Sequence, residues 1–191
     1  MNYLAHATLA EASDEARLGS LLGDFSKGLE LDRLTPTMRF ALEEHRAVDQ
    51  WFDALPEIRR ERVSYPPHLR RFAGILIDVF FDHFLVRRWP MEDVTASLYR
   101  GLRSYPEALP PRLQTVAPSM IEHDWLGSYG DVRNVGRALQ GIDRRFSRDT
   151  PILEGMDVLE ERRLQLEALV LAVFPKVQAF TRERRSAAAR R

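Results

Sequence analysis

The segment from Gly74 to Val86 places acidic groups inside an almost continuous apolar run. Wound as an α-helix, it presents Ile, Leu, Val and Phe side chains in nearly every direction, and a helix that is apolar all round is buried all round. Asp78 and Asp82 lie four residues apart and share one face of this helix. Two ionised carboxylates in an apolar interior need a strong partner. The rest of the chain must therefore cover this helix and compensate the charge of its two acids.

Two kinds of partner would compensate Asp78 and Asp82. One divalent cation neutralises several carboxylates at once, and arginines would do so by forming buried ion pairs. The segment alone leaves both alternatives open. A β-strand over residues 75–81 is the rival secondary structure, but a helix is favoured because the apolar pattern continues to Val86, past the usual length of a strand.

The composition is that of a folded protein without a strong overall charge. At 191 residues a single domain is expected, and 28 basic residues balance 28 acidic ones, so no global field indicates nucleic acid or membrane as a partner. The absence of cysteine excludes disulfides, thiolate zinc sites and a cysteine nucleophile. The first residues lack the shape of a signal peptide, and no apolar run approaches the roughly 20 residues that cross a bilayer. We therefore expect a soluble, cytoplasmic protein.

Hydrophobic periodicity is helical along nearly the whole chain. Besides the apolar helix, which should end before Trp89, helices are predicted at about 18–28, 36–55, 92–104, 112–124, 131–146 and 153–181. Pro118 and Pro175 are expected to interrupt or kink the helices that contain them. The sequence thus predicts an all-α, single-domain helical bundle over residues 1–181, followed by a basic, frayed tail over residues 182–191.

Other polar residues also fall where helical patterning predicts core. His45 and Asp49 share the apolar face of one helix, where they could ligate a metal or simply hydrogen-bond each other. Asp24 lies at the carboxyl end of a helix, where the dipole disfavours an anion, and His6 lies in an apolar run. The complete set of inward donors is His6, Asp24, His45, Asp49, Asp78, Asp82 and His83. Such nitrogen and oxygen donors suit Mn²⁺, Mg²⁺, Fe²⁺ or Zn²⁺, and helical bundles build metal sites from several helices.

One doublet that looks catalytic is better explained as structural. His123-Asp124 matches the mark of the helical His-Asp metal phosphohydrolases, but it lies beside Gly127 and a predicted loop, not in an apolar run. A solvated helix end is therefore favoured. The chain also has no phosphate-binding glycine loop, nucleophile elbow or dinucleotide fingerprint, so a serine nucleophile is not expected.

Short motifs along the chain resemble the acyl carrier protein phosphodiesterase family, also called acyl carrier protein hydrolase. The motifs are Asn2-Tyr-Leu-Ala-His6, Gly19-Ser-Leu-Leu-Gly-Asp24-Phe25 with Gly28, His45-Arg46 with Asp49, and Asp78 with Asp82-His83-Phe84, with weaker support from Trp125-Leu126 and Phe174-Pro175. They occur in order over most of the chain. The basic tail after about residue 180 departs from the family pattern.

The resemblance implies an activity that composition could not indicate. The family removes the 4′-phosphopantetheine arm from holo acyl carrier protein by cutting its phosphodiester link to a serine. It implies a divalent metal, commonly Mn²⁺, with Mg²⁺ or Fe²⁺ as alternatives, and a distant similarity to the His-Asp phosphohydrolases. The acidic carrier protein would be the partner, and clusters of arginine at the surface would steer it.

The predicted mechanism assigns roles to the inward donors. The metal ligands would be Asp24, His45, Asp78 and Asp82, with His6, Asp49 and His83 as further ligands or as residues that orient them. The metal would polarise a phosphoryl oxygen and lower the pKa of an attacking water. His83 or His45 would act as general acid toward the serine oxygen. Arg46 would stabilise charge on the phosphoryl oxygens, and Arg46 and Lys27 are the predicted substrate-binding residues.

Two competing functions remain. The first is a metal phosphohydrolase that acts on nucleotides, as other helical His-Asp proteins do. The second is a non-catalytic helical binding protein, whose inward polar groups would form a structural network without a metal. Binding of a divalent metal, which stabilises the native state, distinguishes the two possible enzymes from the non-catalytic binding protein.

Overall fold

The chain forms helices joined by short turns, and the computed structural model describes residues 1–190 of it. Within these residues no β-strand occurs, so the all-α prediction is confirmed and the strand alternative for residues 75–81 is wrong. The helices are α1 (Tyr3–Leu9), α2 (Asp14–Leu22), α3 (Pro36–Ala54), α4 (Pro56–Ser64), α5 (Ala73–Arg88), α6 (Glu92–Ser104), α7 (Pro111–Glu122), α8 (Val132–Asp143), α9 (Gly155–Glu161) and α10 (Arg163–Ala188). They pack as a single domain around one large hydrophobic core.

Helix α5 is the apolar helix of the sequence and lies at the centre of this core. Leu76, Phe80 and Phe84 have almost no exposed surface. The helix contacts α1, α4, α8 and α10, which cover it on different sides. A helix that is apolar all round is thus surrounded, as its sequence requires.

Helix α3 carries part of the candidate site and packs against α2. Its start is fixed locally, because the Thr35 hydroxyl accepts a hydrogen bond from the Met38 amide at 3.2 Å and Pro36 occupies the first turn. A Cβ atom on Gly19 of α2 would lie 2.5 Å from the Met38 carbonyl oxygen. The two backbones therefore approach to a distance that only glycine permits, and this places the end of α2 beside the inward face of α3.

Several predicted boundaries differ from the observed ones. Helix α2 ends at Leu22, and a separate 3₁₀ turn over Gly23–Phe25 follows it. Pro118 lies inside α7 without interrupting it. The last predicted helix is divided, but at Arg162 and not at Pro175. Arg162 there bonds Glu61 and the Ser64 hydroxyl on α4, and these tertiary contacts explain the position of the break better than the local effect of proline.

The tail predicted to be frayed is largely helical. Helix α10 continues past residue 181 to Ala188, so the predicted boundary is not observed, and Arg191 lies outside the described residues. Arg185 pairs with the buried carboxylate of Glu44 and also donates to the carbonyl oxygen of Leu9. These contacts hold the carboxyl-terminal turns of α10 against α1 and α3.

Helix α10 is long and apolar enough, by length and composition alone, to cross a membrane. This corrects the prediction that no segment reaches that length. Its inward residues, among them Val173, Phe174 and Val177, are buried in the domain core. Core helices pass the same test, so this single helix is weak support for a membrane span.

Candidate metal centre and active site

Helices α1 and α3 bring two histidines and one aspartate together. The Nε2 atom of His6 lies 2.9 Å from Oδ1 of Asp49, and the Nε2 atom of His45 lies 3.1 Å from Oδ2 of the same carboxylate. The two imidazole rings stack with their centroids 3.7 Å apart. Both histidines are buried, at 2% and 4% exposure, while 38% of the Asp49 side chain is exposed. Asp49 thus lies between the two buried rings and the solvent.

The electrostatics of this cluster favour a neutral His6 and an ionised Asp49. Burial lowers the pKa of His6 to about 3, although its hydrogen bond to Asp49 opposes the shift. Burial would raise the pKa of Asp49, but the hydrogen bonds with His45 and His6 hold it well below its usual range. Neutral imidazole and anionic carboxylate are the protonation states that bind metals.

The residues of the cluster fit a divalent cation. One ligand atom from each of His6, His45 and Asp49 lies within 4.8 Å of the others. One buried polar atom at the site, Nδ1 of His45, has no hydrogen-bond partner. Buried polar atoms without a partner are uncommon in folded proteins, and many of them contact a bound ion or water. The donors are nitrogen and oxygen only, which suits Mn²⁺, Mg²⁺, Fe²⁺ or Zn²⁺.

The amino group of Met1 lies between two of the predicted ligands. It is 2.9 Å from Oδ1 of Asp49 and 3.3 Å from Oδ1 of Asp78. Burial would lower the pKa of this amine, but Asp78 and Asp49 raise it to about 11. Asp78 is therefore compensated by an ammonium, and among the described residues no arginine pairs with Asp78 or Asp82.

Asp24 stands at the edge of the same site, on the 3₁₀ turn that follows α2. The residue as a whole is exposed to solvent, yet enough protein surrounds its carboxyl group to raise its pKa to about 6. The charges of His45 and of the Met1 amine oppose that shift, and those of Asp49 and Asp78 add to it. Asp24 is thus in the electrostatic field of the cluster without a hydrogen bond to it.

Asp82 is fully buried and binds the start of α1. Its two carboxylate oxygens accept hydrogen bonds from the backbone amides of Leu4 and Ala5, at 2.9 and 2.8 Å. The first amides of a helix have no partner within the helix, so a carboxylate from another element can satisfy them. Burial raises the pKa of Asp82 to about 7 against the effect of these two bonds. Both of its oxygens are therefore occupied by α1, one turn away from Asp78.

His83 points away from the cluster. Its Nδ1 atom lies 2.7 Å from the carbonyl oxygen of Tyr129, and burial lowers its pKa. The charged residues that act on it are Arg87, Glu167 and Arg163, and no residue of the cluster is among them. The structure does not bring His83 to the other predicted site residues.

The predicted substrate-binding residues are exposed. Arg46 lies on the solvent side of α3, next to His45, and Lys27 lies just after the turn that carries Asp24. Neither forms an ion pair with another of the described residues. Asp124, from the His-Asp doublet, has a positive φ of 43° and accepts a hydrogen bond from the Tyr99 hydroxyl at 3.0 Å. It stabilises a turn at the end of α7, as predicted.

Comparison with known proteins identifies the family. The family model described as acyl carrier protein phosphodiesterase matches residues 1–177. The chain belongs to the acyl carrier protein phosphodiesterase family. It is 29% identical to a protein of that name from Serratia proteamaculans (96% of this chain, 99% of the relative) and 29% identical to one from Yersinia pestis (92% and 94%). A relative of the same name from Escherichia coli O157:H7 is 28% identical (94% and 96%). No solved structure matches.

In this member of the acyl carrier protein phosphodiesterase family, sequence patterns did not indicate two features of the site. The Met1 amine belongs to the backbone, so no pattern of side chains could place it between two acids. Gly23 is the other feature, because a Cβ atom there would lie 2.2–2.5 Å from atoms of the His45 ring. The sequence does show a glycine beside Asp24, but the contact of Gly23 with the His45 ring becomes apparent only when α2 and α3 are packed together.

Replacing Gly23 with alanine should displace the His45 ring and lower both activity and metal affinity about tenfold or more. The backbone of Gly23 is already helical, so alanine suits its conformation and the effect is steric alone. The measurements are cleavage of holo carrier protein and metal titration. Gly141→Ala is the matched control, because nothing lies within 4 Å of a Cβ atom at that position. Equal behaviour of the two variants would contradict this prediction.

Proposed function

We propose that this chain hydrolyses the phosphodiester between 4′-phosphopantetheine and the serine of holo acyl carrier protein, releasing the apo form, with a divalent metal, Mn²⁺ before Mg²⁺ or Fe²⁺. The observation that carries the proposal is the cluster of His6, His45 and Asp49, in which the buried Nδ1 atom of His45 has no hydrogen-bond partner. Family membership supports the substrate, since the relatives are named for it. A distant kinship with His-Asp phosphohydrolases and a cytoplasmic location belong to the same proposal.

The metal would be held by His6, His45 and Asp49, with Asp24 and Asp78 as the nearest further carboxylates. When bound, it supplies Lewis acidity and charge compensation at the phosphoryl group. Asp82 was predicted as a ligand, and its bonds to Leu4 and Ala5 assign it instead the task of positioning α1, and with it His6.

The chain's own residues account for anion binding. Neither predicted general acid is assigned proton transfer, because the His45 ring would ligate the metal as a neutral imidazole and His83 bonds the Tyr129 carbonyl outside the cluster. Arg46 follows His45 on α3 and is free to approach a phosphoryl oxygen. Lys27 is available for contact with the acidic carrier protein.

Incubation with holo acyl carrier protein and Mn²⁺, followed by mass spectrometry, tests the proposal. We expect loss of the phosphopantetheine mass from the carrier, dependence on added metal, and no turnover of a panel of nucleotides. Turnover of nucleotides in place of the carrier would support the alternative phosphohydrolase. No turnover, with no bound metal and an unchanged melting temperature in excess Mn²⁺, would support the non-catalytic binding protein.

Metal affinity should fall as the pH is lowered from about 7 to about 5, because protons and the metal compete for the same carboxylates. In the metal-free protein the pKa of Asp24 is raised to about 6, above its ordinary value of 3.8. At a pH between 3.8 and about 6, Asp24 in the folded protein therefore holds a proton that the metal must displace. Titration of Mn²⁺ at several pH values should show a weaker pH dependence for Asp24→Asn than for the wild type, and parallel curves would contradict the assignment.

A further inference from the structure

Two arginines from distant parts of the chain lie beside the entrance of the site. The rings of Tyr3 and Phe25 are 5.6 Å apart, and Phe25 directly follows Asp24. The guanidinium of Arg112 lies over the Phe25 ring, 5.1 Å from its centroid. Arg145 acts electrostatically on both Tyr3 and Tyr129, so its guanidinium lies near these two side chains. Both cations thus border the aromatic pair next to Asp24.

Local structure holds Arg145 in place. It lies in a turn after α8, where its amide donates to the carbonyl of Ile142 at 3.0 Å. The next residue, Phe146, packs edge-on against Phe72 with centroids 5.6 Å apart. The Thr150 hydroxyl closes the segment by bonding Asp143 at 2.7 Å. The position of Arg145 is therefore set by contacts of its neighbours and not by an ion pair of its own.

Arg112 is positioned in a comparable way. It is the second residue of α7, and the preceding Pro111 lies against Gly28, where a Cβ atom would be 3.3 Å from the proline ring. Gly28 has a φ of 77°, which favours glycine, and it ends the segment that carries Asp24 and Phe25. Stacking on Phe25 orients the guanidinium plane and leaves its N–H groups free to bind an anion.

Neither arginine has a carboxylate partner among the described residues. Arginines elsewhere on the surface do, such as Arg100 with Asp14, Arg133 with Asp131 and Arg88 with Glu167. The site itself is lined by carboxylates and would repel a phosphodiester, which is an anion. Cations at its entrance are what an anionic substrate requires, and the planar fork of arginine matches phosphate oxygens.

We propose that Arg112 and Arg145 together bind the phosphate group of the phosphopantetheine arm at the entrance of the metal centre. This inference rests on the proposed function, since it concerns the substrate of that reaction. It adds two residues outside the predicted substrate-binding pair of Arg46 and Lys27. The Phe25 ring, which packs against Tyr3, then orients the guanidinium of Arg112.

Calorimetric titration with 4′-phosphopantetheine, and with pantetheine as the phosphate-free control ligand, tests this inference on the Mn²⁺-loaded protein. We expect Arg112→Gln and Arg145→Gln each to weaken binding of 4′-phosphopantetheine about tenfold or more, without changing binding of pantetheine. In steady-state cleavage of holo carrier protein, both variants should raise KM more than they lower kcat. Arg144→Gln, which changes the neighbouring exposed arginine, should match the wild type in both assays.

Three outcomes would overturn the inference. The first is that Arg112→Gln and Arg145→Gln bind 4′-phosphopantetheine as tightly as Arg144→Gln does. The second is that both variants lose as much affinity for pantetheine as for 4′-phosphopantetheine. The third is that the variants lose affinity only for apo carrier protein. The last would assign the arginines to acidic side chains of the carrier. Arg112→Lys and Arg145→Lys replace any glutamine variant that fails to fold, with the same expectation of weaker phosphate binding. A wild type that binds the phosphate through these arginines but does not cleave holo carrier protein would refute the proposed function alone.

Discussion

Replacing Asp49 with asparagine should lower kcat/KM for holo acyl carrier protein about a hundredfold or more and remove most of the bound metal. Asp49 is the only carboxylate among the described residues that contacts both His6 and His45, and it supplies the negative charge nearest to both rings. Asparagine keeps the shape of the side chain but removes that charge, so the loss reflects chemistry more than packing. Activity by mass spectrometry and metal content by elemental analysis are the measurements.

The matched control for this variant is Asp53→Asn, one turn later on the same helix. Asp53 is half exposed and pairs with Arg62 at 2.6 Å, away from the two histidines. A surface pair of this kind contributes little to stability, so the control should retain nearly full activity and metal. If Asp49→Asn kept as much metal and activity as Asp53→Asn, the proposed metal centre would be wrong.

Replacing Asp82 with alanine should lower the free energy of unfolding by about 2–4 kcal/mol, because it leaves the amides of Leu4 and Ala5 without a partner in the core. The side chain of Asp82 has no exposed surface, so water cannot take its place without rearrangement. Urea unfolding in the presence of a chelator measures this effect free of metal binding. Asp78→Asn is the control on the same helix, and its loss should be smaller, because Asp78 is 29% exposed and accepts no backbone hydrogen bond.

The stability advantage of the wild type over Asp82→Asn should depend on pH with a defined sign. The pKa of Asp82 is raised in the folded protein to about 7, above its ordinary value of 3.8. The folded state therefore binds the proton more tightly, and this contribution is fully present below the ordinary pKa and lost as the pH rises through about 7. The advantage should be larger near pH 5 than near pH 8. A constant difference would show that Asp82 is ionised over this whole range, and a larger advantage near pH 8 would also contradict the prediction.

Residue patterning could predict the helices because burial follows periodicity. The apolar run of α5 indicated a surrounded helix, and Thr35-Pro36 indicated the start of α3; both features are local. The break at Arg162 and the helical course past residue 181 could not be predicted, because they depend on Glu61 and Glu44, which are distant in sequence. Tertiary ion pairs leave no periodic signal.

The candidate site could be predicted in part for the same reason. The inward positions of His6, His45 and Asp49 followed from the apolar faces that carry them, and these three residues do meet. Asp78 and Asp82 share a helix face but differ in their partners, because one faces an ammonium and the other the start of α1. Spacing on a helix identifies a shared face, but it does not identify what lies opposite each residue.

The attachment of α1 has a consequence for the order of folding. Asp82 binds the first turn of this helix from 78 residues away, and Arg185 binds the Leu9 carbonyl at its other end from 176 residues away. At 7 residues α1 is too short to be stable alone in water. Although α1 precedes α5 and α10 in the chain, it can take its final place only after they have formed. His6 therefore reaches the metal centre in one of the last steps, and we expect unassembled chains to lack the site even when most helices are present.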